Sequence, residues 1–137
     1  MTTSDMLRYT RIPTHGSGSI PAAGFGTLIP DPLVTKQATK AALEAGFRHL
    51  DCAERYRNEA AVGEAIQEAF TAGTLLREDL FVTTKLWNNN HRQERVQPAF
   101  EASCRRLQLD ISTVTSSIRP LPFDPATNRT RGMSAVR

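Results

Sequence analysis

Short apolar segments typical of strands alternate with segments of helical periodicity along this chain of 137 residues. This alternation constrains the fold most strongly, because parallel strands must be joined by long crossovers that are usually helices. A hairpin with its turn at residues 16–18 precedes the alternating part. The order hairpin, then β-α-β-α-β-α, predicts a parallel sheet in an α/β fold. Periodicity alone does not distinguish a closed barrel from an open doubly wound sheet.

The boundaries of these elements follow from their apolar positions and their turn residues. Extended segments are predicted at residues 20–26, 47–51 and 80–86. Three helices are predicted from positions that recur every three or four residues, at 34–45, 62–70 and 96–107. Asn58 is expected to cap the second helix, and Pro98 fits the third only in its first turn. Pro30 and Pro32 are expected to interrupt regular structure.

The composition is that of a globular protein, with 39% hydrophobic and 23% charged residues. No apolar run approaches the roughly 18 residues of a membrane helix, and residues 1–8 lack the apolar core of a secretion signal. Cys52 and Cys104 are too few for a disulfide scaffold or a zinc site. We therefore expect a cytoplasmic protein with reduced thiols, no membrane contact and no metal.

The net charge of +3 lies entirely in residues 111–137, which carry four arginines and one aspartate. The rest of the chain is neutral, and the tail lacks the interleaved aromatic residues on which single-stranded nucleic acids stack. We therefore predict no nucleic-acid partner. The tail is also rich in Ser, Thr and Pro, without helix or strand periodicity, and we predict that it is disordered.

One run carries the chemistry: residues 46–63 read GFRHLDCAERYRNEAAVG. This run resembles the aldo-keto reductase family, as do GFGT at residues 24–27 and TKLW at residues 84–87. The resemblance covers residues 7–110. It implies a partial (β/α)8 TIM barrel, namely the hairpin and the first three β/α units, followed by an irregular tail at 111–137. In such barrels the active site lies at the carboxyl ends of the strands.

The resemblance also implies catalytic roles for three residues. Tyr56 is the proton donor, Lys85 the cation that tunes it, and Asp51 the partner that holds the lysine. The residue types suit carbonyl reduction, because an ammonium group favours the phenolate and so makes a tyrosine a better acid. The implied reaction is the NADP(H)-dependent reduction of small aldehydes or ketones to alcohols.

Other positions keep two interpretations at this stage. In one interpretation Thr27, Leu28 and Asp51 border the nicotinamide. In the other, Thr27 and Leu28 serve only in packing. Trp87 lines the substrate pocket or covers the rim of the barrel. His49 lies in the middle of a predicted strand, where a packed or paired histidine is more common than a catalytic one.

The resemblance ends after Asp110. The family continues with a strand of the type Tyr-x-Asp-x-Tyr-Leu-Ile-His, whose histidine orients the substrate carbonyl, whereas residues 111–118 read ISTVTSSI. Synonymous codons for residues 111–126 can be chosen so that a shifted frame encodes Tyr-Leu-Ile-His. We therefore interpret the tail as a frameshift product, which the nucleotide sequence tests directly.

Without that strand and its histidine, the chain is a truncated reductase from which we expect little or no turnover. The alternative is a catalytically inactive fragment or a non-enzymatic interaction protein. Its open strands would present unpaired backbone groups and thus favour self-association.

Overall fold

The computed structural model describes residues 10–14 and 18–110 and the backbone of three later strands. The elements are β1 (Arg11–Pro13), β2 (Ser19–Pro21), β3 (Phe25–Gly26), α1 (Pro32–Glu44), β4 (His49–Asp51), α2 (Glu59–Thr71), β5 (Phe81–Leu86), α3 (Gln93–Leu107), β6 (Val114–Ile118), β7 (Phe123–Asp124) and β8 (Arg129–Thr130). Short 3₁₀ turns lie at Glu54–Tyr56, Arg77–Asp79 and Asn88–Asn90.

Strands β3, β4, β5 and β6 form a parallel sheet in that order. Helices α1, α2 and α3 are the three crossovers between them, and α2 packs against both other helices. Strands β1 and β2 form a separate antiparallel pair, as do β7 and β8. The predicted α/β class is confirmed. The four strands that the structure describes in the main sheet do not close into a barrel.

Side chains of β5 alternate between the face of the sheet that packs against the helices and the opposite face. Val82, Thr84 and Leu86 are buried, whereas the alternating Thr83 and Lys85 are half-buried and project to the other side. Val82 joins a core built from the helices, the adjoining turns and strand β4, which includes Leu43, Leu50, Val62, Ile66, Leu75, Leu80 and Leu107. The helices therefore cover one face, and the polar side chains of the strands gather on the other.

A buried carboxylate ties the helices to the sheet. Glu59, at the start of α2, is 1% exposed. Its two oxygens accept hydrogen bonds from Thr84 Oγ1 at 2.6 Å, Ser103 Oγ at 3.0 Å and Arg106 Nε at 2.9 Å. Since a buried charge without partners costs several kcal/mol, this set of donors fixes α2, α3 and β5 relative to one another.

Two predicted boundaries are wrong, for local reasons. Pro32 does not break the chain but occupies the first position of α1, where its missing N–H has no helical partner in any case. Asp31 caps this helix by accepting a hydrogen bond from Val34 N at 2.9 Å. The segment 20–26 is not one strand, because a bend at residues 22–23 separates β2 from β3.

Two further expectations for helix positions also fail. Pro98 lies in the second turn of α3, not in its first. The hydrogen bond it forgoes would reach Glu94, which is exposed to water, so the loss is tolerated there. Asn58 stands at the N-cap of α2 but makes no side-chain cap bond. Its amide instead donates to the carbonyls of Thr27 and Ile29.

The expectation that no strand follows Asp110 is wrong for β6. The backbone of Val114–Ile118 pairs in parallel with β5, with Lys85 opposite Ser117. A backbone ladder needs no apolar period, and Val, Thr and Ile favour extended structure. Residues 16 and 17 of the hairpin turn predicted at 16–18, and the remaining tail positions, lie outside the described residues. No helix among the described residues is long and apolar enough to cross a membrane.

The contact between α2 and α3 yields a test of the packing. A Cβ added at Gly63 would stand 2.5 Å from the carbonyl oxygen of Arg106 and 2.8 Å from the carbonyl carbon of Leu107. Because these are backbone atoms, Gly63→Ala must push α3 away from α2. We expect the free energy of unfolding to fall by about 1–3 kcal/mol, despite the better helix propensity of alanine.

Urea unfolding followed by circular dichroism measures this change. Gly26→Ala is the matched control, because nothing lies within 4 Å of a Cβ at Gly26. The control should alter stability by less than about 1 kcal/mol. Equal stabilities of wild type and Gly63→Ala would contradict the close packing of α2 on α3.

Candidate active site

The side chains of Asp51, Tyr56 and Lys85 meet on the face of the sheet opposite the helices. Lys85 Nζ lies 2.8 Å from each carboxylate oxygen of Asp51 and 3.1 Å from Tyr56 Oη. It also donates to the carbonyl of Cys52 at 2.9 Å. The ammonium group stands 4.9 Å from the centre of the Tyr56 ring. The three residues that the resemblance singles out thus form one hydrogen-bonded cluster.

The strand register brings this cluster together. Asp51, the last residue of β4, pairs with Thr83 of β5, and Lys85 follows Thr83 by two positions. Residues two apart in a strand project to the same face, so Lys85 is the diagonal neighbour of Asp51. Tyr56 ends the 3₁₀ turn directly after β4, and Arg57 then adopts a left-handed conformation with φ of 57°. The turn returns the chain to α2 and leaves the phenol beside the strand ends.

The surroundings of Lys85 favour its charged form. Burial lowers the pKa of Lys85, but the hydrogen bonds to Asp51 and Tyr56 outweigh burial and raise this pKa above its usual 10.5. The lysine side chain is 27% exposed and that of Asp51 is 40% exposed. An ammonium ion therefore stands next to the phenol oxygen at neutral pH, with a carboxylate to balance it.

Hydrogen bonds from Thr27 and Asn58 fix the position of the end of β4. The backbone N–H and the hydroxyl of Thr27 both donate to the carbonyl oxygen of Asp51 at 3.0 Å. Asn58 Nδ2 in turn donates to the carbonyl oxygen of Thr27 at 2.6 Å. Thr27 is fully buried, whereas the neighbouring Leu28 is 67% exposed. Of the predicted cofactor residues, Leu28 and Asp51 therefore have accessible side chains, and Thr27 lies beneath them.

Trp87 follows β5 by one residue and is 38% exposed. The guanidinium of Arg55 lies over its ring, 5.3 Å from the centroid. These two residues form part of the wall of an open cavity of about 740 Å³, which Arg57, Glu54 and other residues complete. Asp51, Tyr56 and Lys85 do not line it, so the cavity does not enclose the three-residue cluster.

His49 and Cys52 lie close to the cluster without joining it. His49 Nε2 is 2.9 Å from Thr83 Oγ1, and its ring packs edge-on against Phe81. This confirms the interpretation of His49 as a paired and packed residue. Burial raises the pKa of the Cys52 thiol to about 12. Cys52 is therefore unsuited to act as a nucleophile, and it serves the site through its backbone carbonyl.

Several residues were not assigned a role in the site from the sequence. Asn58 and Glu59 belong to the run that carried the resemblance, yet their spatial partners are 23 to 47 residues away in the chain. Arg55 and Arg57 flank Tyr56 directly. That flanking pattern was the one available signal for the arginines, and it does not reveal that Arg55 stacks on Trp87.

Comparison with known proteins agrees with this geometry. A family model described as the Aldo/keto reductase family matches residues 24–115. Aldo-keto reductase family 1 member C1 of Pongo abelii is 49% identical over 107 residues, which are 75% of this chain and 33% of that protein. Aldo/keto reductase slr0942 of Synechocystis is 46% identical over 98 residues, or 72% of this chain and 30% of that protein.

A solved structure supports the same assignment. The crystal structure of a Bombyx mori aldo-keto reductase in complex with NADP aligns with a TM-score of 0.75 and 35% sequence identity. The alignment covers 85% of this chain and 40% of the silkworm protein. The chain spans about a third of the length of the curated relatives that it matches. With the matched segment and the cluster of Asp51, Tyr56 and Lys85 in agreement, this chain belongs to the aldo/keto reductase family.

Proposed function

We propose that the chain carries the proton-transfer centre of an NADP(H)-dependent carbonyl reductase that converts aldehydes or ketones to alcohols. The observation that carries this proposal is the position of Lys85 Nζ, within 3.1 Å of Tyr56 Oη and 2.8 Å of the Asp51 carboxylate. A phenol that is to give up a proton needs its phenolate stabilised, and an ammonium ion within hydrogen-bonding distance supplies this.

The reaction balances with one hydride and one proton. NADPH, when bound, would supply the hydride for the carbonyl carbon, and NADP⁺ would be its oxidised product. Tyr56 gives its hydroxyl proton to the carbonyl oxygen, and Lys85 stabilises the phenolate that remains until solvent returns the proton. Asp51 holds Lys85 in place and balances its charge. Thr27 keeps Asp51 in register through its two hydrogen bonds to the carbonyl oxygen.

The described residues fit the nicotinamide end of this cofactor. Leu28 offers an exposed apolar side chain at the end of β3, and Asp51 offers a carboxylate oxygen partly open to solvent. We propose that these two border the nicotinamide, with Thr27 beneath them. Trp87, exposed on the rim beyond β5, is proposed to contact the carbonyl substrate.

Both cysteines are free and buried, which suits the reducing cytoplasm that we propose as the location.

The expected activity of this chain is low. Asp51, Tyr56 and Lys85 are in place, but β6 has the sequence VTSSI and carries no histidine to orient a carbonyl group. The four described strands of the main sheet also leave the site open on one side. A water-filled site weakens the electrostatic stabilisation on which the reaction depends. We therefore expect slow reduction of reactive aldehydes.

Substitution of Tyr56 tests the proposed reaction. The purified protein, given NADPH and an excess of a reactive aldehyde such as 4-nitrobenzaldehyde, should oxidise NADPH slowly, as followed at 340 nm. Tyr56→Phe should lower that rate by at least about 100-fold, because general acid catalysis contributes roughly that much. Arg105→Gln is the control, since this exposed side chain on α3 does not belong to the cluster, and it should retain the rate.

A rate that is equal in the wild type and in Tyr56→Phe would refute Tyr56 as the proton donor. Complete absence of NADPH oxidation from a folded wild-type protein would refute the reductase proposal for this chain. In that case the non-enzymatic interpretation would stand.

The charge on Lys85 can be tested without turnover. The ¹³Cε resonances of the three lysines, followed over pH, report the pKa of each, and Lys85→Met assigns the signal. We expect the pKa of Lys85 to lie above 10.5 in the wild type and to fall in Asp51→Asn. Burial lowers this pKa, and the variant loses the carboxylate whose hydrogen bond and charge raise it. Asp79→Asn, an exposed carboxylate without a contact to Lys85, is the control.

The sign of the associated stability follows from this raised pKa. The contribution of Lys85 to the free energy of folding is fully present below pH 10.5 and is lost as the pH rises through the higher pKa of the folded state. In Asp51→Asn, the decrease in the free energy of unfolding at high pH should be smaller than in the wild type. An unchanged Lys85 pKa in Asp51→Asn would contradict the pairing.

The second candidate function, interaction through exposed strand edges, rests on the topology. Among the described strands, β3 and β6 each have a neighbour on one side only. Unpaired backbone groups at such edges recruit further strands. We expect light scattering after size-exclusion chromatography to give a mass above the monomer's 15.1 kDa that increases with protein concentration. A strictly monomeric protein at all concentrations would contradict this second candidate.

A further inference from the structure

Two arginines flank Tyr56 and lie on the wall of the cavity beside it. Arg55 and Arg57 are both exposed, and both line the cavity together with Trp87. The guanidinium of Arg55 is held over the indole ring at 5.3 Å, a distance typical of cation–π contacts. Within the described part of the chain, neither guanidinium forms an ion pair or a hydrogen bond. Both groups retain their donors for a ligand.

The charges around this cavity do not cancel. Arg106 also lines it, but this guanidinium is paired with the buried Glu59 at 2.8 Å. Glu54 is the remaining carboxylate on the wall, and it accepts a hydrogen bond from Asn90 at 3.1 Å. Arg55 and Arg57 therefore outweigh the one acidic side chain that is not already paired.

The start of α2 adds to this positive potential. Ala60, in the first turn of the helix, forms part of the cavity wall. Asn58 makes no side-chain cap bond there, because its amide is used on Thr27 and Ile29. The first turn of α2, at the positive end of the helix dipole, thus borders the same space as the two arginines, and its acidic residue Glu59 is paired with Arg106.

We propose that this cavity binds the carboxylate of an anionic aldehyde or ketone, and so selects carboxylate-bearing carbonyl compounds as substrates. The proposal rests on the reductase function proposed above. Arg55 and Arg57 are the covalent neighbours of Tyr56, and Trp87 follows Lys85 by two residues. The cavity wall thus includes residues of the turn that carries Tyr56 and the residue that follows the strand of Lys85, and a substrate that spans both places would have its carbonyl group at Tyr56 and its carboxylate at the arginines.

A carboxylate fits these groups better than a neutral polar group does. The planar guanidinium offers two parallel N–H donors that match the two oxygens of a carboxylate, and such charge-assisted hydrogen bonds are the strongest kind in proteins. The indole face of Trp87 can cover the carbon chain between the carboxylate and the carbonyl. A neutral aldehyde of the same length would leave both arginines without a partner.

The single tryptophan of the chain makes the binding measurable. Trp87 fluorescence, excited at 295 nm, can be titrated with 4-oxobutanoate and, as its neutral counterpart, with butanal. Isothermal calorimetry provides a second measurement that is independent of the indole. We expect saturable binding of 4-oxobutanoate with a Kd at least about tenfold below that of butanal.

Charge-removing variants locate the binding. Arg55→Gln and Arg57→Gln should each raise the Kd for 4-oxobutanoate by about fivefold or more, while the Kd for butanal stays unchanged. Arg105→Gln removes the same charge from an exposed position that does not line the cavity, and it should leave both values within about twofold. Both substituted arginines are exposed, so circular dichroism spectra should match that of the wild type.

The titrations contain no NADPH, so they test the cavity separately from turnover. Equal Kd values for 4-oxobutanoate and butanal would overturn the proposal. So would a loss of affinity in Arg105→Gln as large as that in Arg55→Gln, because the effect would then be one of net charge. If the selective binding is present but NADPH is not oxidised, the cavity assignment stands and the reductase proposal fails.

Discussion

The ammonium group of Lys85 is the contact on which the site depends. It joins the last residue of β4, the backbone of the following loop, the 3₁₀ turn and β5, through hydrogen bonds to Asp51, Cys52 and Tyr56. A half-buried cation is stable there because a carboxylate, a carbonyl and a phenol together replace the water that it has lost. The contacts that stabilise this charge also place the phenol beside it. The same hydrogen bonds therefore stabilise the local structure and position the proposed proton donor.

Neighbouring residues on β5 perform opposite tasks. Thr84 points toward the helices and donates to Glu59, whose carboxylate also holds Ser103 and Arg106. Lys85 points the other way and builds the site. Since a strand alternates its side chains between two faces, any shift of β5 by one residue would break both networks. The buried network of Glu59 therefore indirectly keeps Lys85 in register with Asp51.

The sequence predicted the three catalytic candidates through a resemblance, not through spacing. Asp51 and Tyr56 are close in the chain, but Lys85 is 34 residues from Asp51, and only strand pairing brings them within 2.8 Å. The same limit explains the misassigned Asn58. A side chain at an N-cap position normally serves its own helix, but a tertiary contact with the carbonyls of Thr27 and Ile29 competes successfully for its amide. The stacking of Arg55 on Trp87 was not predicted either, because it is also a contact between residues far apart in the chain.

The alternation of strands and helices, the positions of α1 to α3 and the family were determined by the sequence alone, because period, turn residues and motif are local properties of the chain. Strand β6 was not foreseen, since its pairing depends on the free edge of β5 and not on its own apolar pattern. The tertiary structure alone decided which side chains share a face, which arginine is paired and which remains open to a ligand. These outcomes depend on distances between residues far apart in sequence, and no local pattern encodes such distances.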